Sequence, residues 1–410
     1  MKIYDLQAHQ ILDSRGVPTI EVQVELEDGT IGTGSAPSGA STGSYEAHEK
    51  RDGGDAYGGK GVSMAIDGIN KRIRGELIGM DADRQEQIDL LLCELDGSEN
   101  KSNLGGNATI AVSWAAADAA AKANDMPLFR HLGGLQGCEL PCPMFNVING
   151  GCHADNNLEI QEFMFVPAGA DSFHDAMRMG SECYHALKVL LKENGFSTAV
   201  GDEGGFAPNF DRDDQALEWM VRAIEKAGWR PAEDVCLALD CAASEWVQGE
   251  LYRQPKGERQ YSRDELIQTW QELAGRFPLI SIEDPLGEED FDGFRAITER
   301  IGGDVMIVGD DLFTTNAERL YRGASMGAAN AILIKPNQIG TVSETLETIR
   351  LAQANAYNVI VSHRSGETTS SDIADLAVAV NAPFIKAGAP ARGERLAKYN
   401  RLLEIEGMLE

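Results

Sequence analysis

The sequence predicts an α/β fold in two parts, a βα barrel in the longer C-terminal portion and a smaller α+β cap before it. The first observation is a set of five apolar, β-branched runs, each ending on a charged or catalytic residue type. They are Val235-Cys-Leu-Ala-Leu-Asp240, Leu279-Ile-Ser-Ile-Glu283, Val305-Met-Ile-Val-Gly-Asp310, Ala331-Ile-Leu-Ile-Lys335 and Asn358-Val-Ile-Val-Ser-His363, with a weaker sixth at Pro383-Phe-Ile-Lys386. Such continuous runs suit strands buried on both faces. The second observation is their spacing. From Glu283 the run ends advance by 27, 25, 28 and 23 residues, to 310, 335, 363 and 386. That step accommodates one strand, one helix and two loops, the period of a βα barrel. The third is that the first 135 residues have a different texture.

Taken in order, residues 19–33 alternate apolar and polar side chains on either side of Glu27-Asp-Gly29, which predicts a hairpin. Ser35-Ala-Pro-Ser-Gly-Ala-Ser-Thr-Gly-Ser44 then reads as a loop too small and flexible to pack. From about 61 to 133 the pattern is helical. Within it the small-residue stretch Ala108–Ala121 predicts a buried helix too short to span a bilayer. Gly133–Pro143 is rich in Gly and Pro and marks the junction, giving a cap over 1–135 and a barrel over 136–410. No solenoid-type repeat or low-complexity tract interrupts either part.

Composition narrows the partners. The net charge of −29, from 65 acidic against 36 basic residues, repels nucleic acid and anionic membrane, each of which needs a basic footprint. The seven cysteines form no Cys-x-x-Cys pair, which reads as reduced, buried thiols of a cytoplasmic enzyme rather than a zinc site or disulfide framework. The N-terminus lacks the apolar core of a signal peptide.

Chemistry in a βα barrel gathers at the strand C-terminal ends. Here those ends carry Asp240, Glu283, Asp310, Lys335, His363 and Lys386. Any one of them could be an ordinary strand-end residue facing solvent; six in register are not so easily dismissed. Three carboxylates together suit a hard divalent cation such as Mg²⁺. The two lysines and the histidine suit an anionic substrate. Two glycine-rich segments precede those strands. Asn149-Gly-Gly-Cys-His153 leads to Gln161-Glu162-Phe-Met, and Gly201-Asp-Glu203-Gly-Gly sets a carboxylate on exposed backbone, a good place for a proton donor that needs close approach. Alone, His153 would more often be a satisfied structural histidine and Glu203 part of a turn.

These segments resemble the enolase family along essentially the whole chain. The matches are Asp13-Ser-Arg-Gly-Val-Pro-Thr, Pro37-Ser-Gly-Ala-Ser-Thr-Gly43, Asn149-Gly-Gly-Cys-His153-Ala, Gln161-Glu-Phe-Met, Gly201-Asp-Glu-Gly-Gly and Leu239-Asp-Cys-Ala-Ala-Ser-Glu245. Ser281-Ile-Glu-Asp-Pro, Gly309-Asp-Asp-Leu, Leu333-Ile-Lys-Pro-Asn-Gln-Ile-Gly340, Ser362-His-Arg-Ser-Gly-Glu367 and Ile385-Lys-Ala-Gly continue the series. The resemblance implies a TIM-type (β/α)8 barrel with an N-terminal α+β capping domain. The implied reaction is Mg²⁺-dependent, reversible dehydration of 2-phospho-D-glycerate to phosphoenolpyruvate in the cytoplasm. By the same resemblance Asp240, Glu283 and Asp310 hold a first Mg²⁺, and Ser41 helps bind a second that arrives with substrate. Lys335 is the base at C2, Glu203 the acid at the departing C3 hydroxyl, and Glu162 its supporting carboxylate. His153, Arg364 and Ser365 surround the phosphate, Lys386 contacts the carboxylate, and Gln161 and His363 are supporting polar positions. Residue chemistry gives the same expectation: Mg²⁺ and other cations near Lys335 should favour its neutral form, and a carboxyl among carboxylates should keep its proton.

Departures from the family pattern cluster at four positions. Family members usually carry Asn at Val17, Arg at His9 and Glu404, and an acidic residue at Gly407. The last three resemble positions that make ionic contacts across a homodimer, so an altered interface is expected. A paralogue that dehydrates a phosphonate-bearing 3-hydroxycarboxylate would keep the same α-proton machinery and stands as the alternative. A non-catalytic scaffold would need none of it.

Overall fold

The computed structural model describes residues 1–40 and 42–409. Alternation at the N-terminus becomes three antiparallel strands in the order β1 (Ile3–Leu12), β2 (Pro18–Leu26) and β3 (Ile31–Ser35). The predicted hairpin is β2–β3. Gly29 turns it with φ of 87° and donates its N–H to the Leu26 carbonyl at 2.9 Å. β1 escapes the sequence pattern because a register shift between Ile3 and Asp5 breaks its alternation.

The inner face of β2 buries Ile20, Val22, Val24 and Leu26, and β2 and β3 both pack against the helix Gly106–Ala123. That helix is the predicted buried one. Sheet and helix touch closely because both sides are small. A Cβ on Gly34 would collide with the Ala111 carbonyl and the Ala115 amide, and one on Gly32 with the backbone of Ala115 and Ala119. Gly34→Ala is therefore expected to lower stability by about 1–3 kcal/mol, because the helix backbone must shift. The urea midpoint at constant slope measures it, and an unchanged midpoint would mean that the contact relaxes freely.

The barrel closes in the order β4 (Cys142–Asn149), β5 (Glu162–Val166), β6 (Cys236–Asp240), β10 (Leu279–Glu283), β11 (Met306–Gly309), β12 (Ala331–Ile334), β13 (Asn358–Ser362) and β14 (Phe384–Lys386), which returns to β4. The labels between belong to a small ribbon, β7 (Val247–Gln248), β8 (Leu251–Arg253) and β9 (Gln260–Tyr261). The six sequence runs are all barrel strands. The other two, β4 and β5, lie where the sequence showed only glycine-rich chemistry.

The strand count is the expected eight, but strand–helix alternation fails at the start. A single 3-10 turn, Gly151–His153, connects β4 to β5, and the helices Phe173–Glu193 and Asp214–Lys226 both follow β5. In consequence β5 runs antiparallel to β4 and β6. Its first residue, Glu162, thereby pairs with Asp240, the last of β6. Reversal of one strand thus brings a strand beginning to the end of the barrel where the others finish. Beneath that end the interior is filled by Met144, Met164, Val166, Ala238, Met306, Val308, Ala331, Leu333 and Ile360.

Candidate active site

Strand register places the charged residues in one ring. Glu283 pairs with Asp240, Ser362 with Lys386, and Asn149 with Glu162, while Asp310 and Lys335 stand one residue beyond β11 and β12. Every expected site residue except Glu283 and Ser41 lines a single narrow cavity of about 30 Å³. Glu283 lies behind Lys386, and Ser41 falls outside the described residues.

The floor of the cavity is acidic. Lys386 Nζ donates to Asp240 Oδ2 at 3.1 Å and to Glu283 Oε1 and Oε2 at 3.0 and 2.8 Å, and lies 3.2 Å from Glu162 Oε2. Burial opposes the charge on Lys386, but Asp240, Glu162 and Glu283 outweigh it and raise its pKa well above the ordinary value. One ammonium cannot neutralise this group: burial, then the Asp240 charge, pushes the Glu283 carboxyl well above the usual range. A cation already stands among hard oxygen donors here, with negative charge to spare, so the donor set fits a divalent cation such as Mg²⁺. Asp310 faces Lys335 instead, whose Nζ donates to its Oδ2. Among the described residues, the donor atoms that gather within 4.8 Å are those of His153, Glu162 and Glu203 and those of Asp284, Asp310 and Asp311. Asp240, Glu283 and Asp310 thus stand at the ends of three successive barrel strands, with Lys386 bridging the first two and Lys335 bound to the third.

The charge on Lys335 turns on its nearest neighbour. Burial lowers the pKa of Lys335, as do Arg364 and Lys386, yet Asp310 outweighs them and raises it. The side chains alone therefore keep Lys335 as an ammonium, because its nearest neighbour is a carboxylate rather than a cation. A relay fixes that neighbour: the Lys335 amide donates to Thr315 Oγ1 at 2.9 Å, Thr315 Oγ1 to Gln338 Oε1 at 2.8 Å, and Gln338 Nε2 to Asp310 Oδ1 at 2.9 Å.

On the opposite wall Glu203 and Glu162 form a buried carboxyl pair. His153 Nδ1 lies 3.5 Å from Glu162 Oε1 and 3.7 Å from Glu203 Oε1. Burial and then the Glu203 charge push the Glu162 carboxyl well above its usual range. Burial raises Glu203 as well, but His363, His153 and Arg395 outweigh it and hold that carboxyl well below the ordinary value. The two carboxyls titrate together as one pair, and burial favours a proton held between them. Gln161 completes this side by donating to Asp240 Oδ2 at 3.2 Å.

The roof is the glycine-rich loop, of which Ser35, Ala36, Ser38 and Gly43 are buried while Ala40, Thr42 and Ser44 are exposed. Ser38 and Gly366 exchange backbone hydrogen bonds of 2.8 Å, and the Ala40 amide donates to Ser365 Oγ at 2.6 Å. Beside it Arg364 Nη1 donates to Glu46 Oε2 at 2.8 Å and to Asn337 Oδ1 at 3.2 Å.

Several residues here were missed in the sequence. Asp284 accepts from the amides of Asp310 and Asp311 at 3.0 and 2.8 Å, and Gln338 holds Asp310. Both stood in quoted motifs, but a rule that looks only at strand ends passes over them. Asn146, Glu46, Arg395 and Lys398 gave no such signal. The cysteines are all free, as expected, but only Cys183 and Cys241 are buried, while Cys138 and Cys152 are exposed.

Comparison with known proteins bears on the whole chain. Two family models match, "Enolase, N-terminal domain" over residues 3–132 and "Enolase, C-terminal TIM barrel domain" over 137–410. A curated protein named enolase from Acidothermus cellulolyticus is 54% identical over 406 residues, covering 98% of this chain and 94% of its own length. Another of that name from a Nitratiruptor species is 52% identical over 404 residues, covering 98% and 96%.

Proposed function

The chain belongs to the enolase family and is a phosphopyruvate hydratase, a hydro-lyase of glycolysis, and we propose that it works with Lys335 as base and Glu203 as acid. What supports this reading is the opposition of a single amine, Lys335, to a proton-sharing carboxyl pair, Glu203 and Glu162, across a floor of buried carboxylates. An ultraviolet assay for enolpyruvate formation from 2-phospho-D-glycerate tests it; a chain active only on a phosphonate-bearing analogue would overturn it. We read residues 1–135 as the cap and 136–410 as the catalytic barrel, acting in the cytoplasm. No helix among the described residues is long and apolar enough to cross a membrane.

Asp240, Glu283 and Asp310 would hold one Mg²⁺ and Ser41 would contribute to a second. When bound, Mg²⁺ supplies electrostatic stabilisation of the charge that develops on the substrate carboxylate as the C2 proton leaves. Once Asp310 serves that cation, Lys335 keeps Arg364 and Lys386 as neighbours, and their like charge favours its neutral form. Lys335 then removes the C2 proton. Glu203 delivers a proton to the C3 hydroxyl, replenished from Glu162. Arg364, Ser365 and His153 orient the phosphate, Lys386 holds the carboxylate, and Gln161 and His363 support Asp240 and Glu203. The loop over Ser38 and Ala40 excludes water when docked.

The two-cation reading makes a binding prediction. Mg²⁺ titrated calorimetrically should show one step without ligand and a second, weaker step only with a non-reacting phosphorylated carboxylate present. One tight step that is unaffected by ligand and fully activating would dismiss the second cation.

We also propose a homodimer with a modified interface. Within one chain His9 Nε2 lies 3.1 Å from Glu21 Oε1, and Arg401 Nη1 donates to Glu404 Oε2 at 2.8 Å. Arg401 offsets part of the Glu404 charge, yet across such an interface that carboxylate would face an acidic residue such as Glu21 of the second copy. Such repulsion is longest-ranged at low salt. The dimer should tighten as salt rises and on Glu404→Arg, read by sedimentation; insensitivity to both would point to an interface built on other residues.

A further inference from the structure

Behind the catalytic wall, the helix Gly393–Leu409 inserts two cations that neither the floor nor the roof uses, Arg395 and Lys398, both buried. Lys398 is accounted for by Glu367 and by two backbone carbonyls. Arg395 differs, because one of its partners is a ring nitrogen. Its Nη1 approaches His363 Nδ1 at 2.6 Å and donates to the Arg364 carbonyl at 2.7 Å, while Nη2 donates to the carbonyls of Ser365 at 2.6 Å and Asp202 at 3.2 Å. A guanidinium carries only donors. The lone pair must therefore be on His363 Nδ1, and the proton of the neutral ring on Nε2. That nitrogen forms no hydrogen bond within the chain and lies 3.4 Å from Glu203 Oε2. The same oxygen already accepts from Asn146 Nδ2 at 2.8 Å. Asn146 thus bonds Oε2 and the His363 ring nitrogen lies beside it, whereas Oε1 faces His153 and, beyond it, Glu162.

We infer that Arg395 is a positioning residue for the elimination step: it fixes His363 as the Nε2–H tautomer, so that the N–H groups of Asn146 and His363 both lie against Oε2 of Glu203 and the transferable proton rides on Oε1. This rests on the reading of Glu203 as the acid and adds which of its atoms gives the proton. The arrangement also denies His363 a second proton, because Nδ1 has no room for a hydrogen against Arg395. His363 can then hold Glu203 without competing for the proton it must deliver. The groups that face His363 are Glu203, Arg395 and Glu367, and burial, the largest influence, drives its pKa down to about 4.

The test begins with the unaltered protein. In long-range nitrogen–proton spectra of histidine-labelled protein, one of the seven histidines, identified by its loss in His363→Gln, should show a bare Nδ1 and a protonated Nε2. It should also take up no second proton near pH 6.5, the ordinary value. A protonated Nδ1, or titration near the ordinary value, overturns the inference whatever any variant does. Arg395→Gln offers an amide that can accept as well as donate, which releases the tautomer. Its kcat for elimination should fall roughly tenfold to a hundredfold, with KM changed less than about threefold and C2 exchange retained. Arg395→Lys keeps a donor-only cation and should recover most of that loss. A merely structural role, in which Arg395 only ties down the carbonyls of Arg364 and Ser365, would impair both variants alike and raise KM; that outcome overturns the inference. If Glu203→Gln still eliminates normally while His363 shows the stated tautomer, the reading of Glu203 as the acid is what fails.

Discussion

Lys335→Ala is expected to abolish exchange of the C2 proton with solvent and to reduce turnover by about 10²–10⁴ or more, the range for removal of a positioned general base. The larger end is favoured because no second amine shares its place. Lys386 is tied to Asp240 and Glu283, and the guanidinium of Arg364 cannot be deprotonated. Metal binding should survive the change, and for a reason specific to this site. Lys335 Nζ donates to Asp310 Oδ2, so the ammonium competes with a cation for that carboxylate. Its removal should leave Mg²⁺ affinity unchanged or tighter, not weaker. Exchange followed by NMR in heavy water and calorimetric titration of metal measure the two effects separately. A variant that exchanges at the parental rate, or that loses metal and exchange together, would place the base elsewhere.

How much of this could be read from residues alone depends on how local each signal was. The strands β6 and β10 to β14 were legible because a strand buried on both faces leaves an uninterrupted apolar run, and the chemistry marks its end. β4 and β5 were not. The start of β5 is Glu162 and the end of β4 is Asn149, so glycines and polar groups occupy the positions where a boundary would be sought. The ring of Asp240, Glu283, Asp310, Lys335, His363 and Lys386 followed from the barrel period, since residues at successive strand ends must meet. Charge states did not follow. Whether Lys335 is an ammonium and which of Glu162 and Glu203 is protonated depend on the nearest neighbour in space. Asp310 and His363 are 25 and 160 residues away from the groups they control. Arg395 was invisible for a further reason: an arginine on a C-terminal helix reads as surface until its burial is known.

Glu203→Gln should produce the opposite failure from Lys335→Ala. The amide preserves the shape of the side chain, and its carbonyl oxygen can still accept from Asn146, so the fold and the wall are expected to persist. What it lacks is a proton to give. The C2 carbanion can still form at Lys335, so solvent exchange should continue, while loss of the C3 hydroxyl slows by about 10²–10⁴. Glu162→Gln separates delivery from supply: it keeps the Glu203 carboxyl but removes the carboxyl that shares its proton. Because burial and the Glu203 charge raise the Glu162 pKa, the proton is held at low pH and released as pH rises through that elevated value. Parental elimination should therefore fade on the alkaline side, and the Glu162→Gln profile should lose its advantage already at lower pH. If Glu203→Gln instead stops exchange as completely as Lys335→Ala, proton removal and hydroxyl loss are not divided between the two walls of this site, and the acid must be sought among the groups facing Lys335.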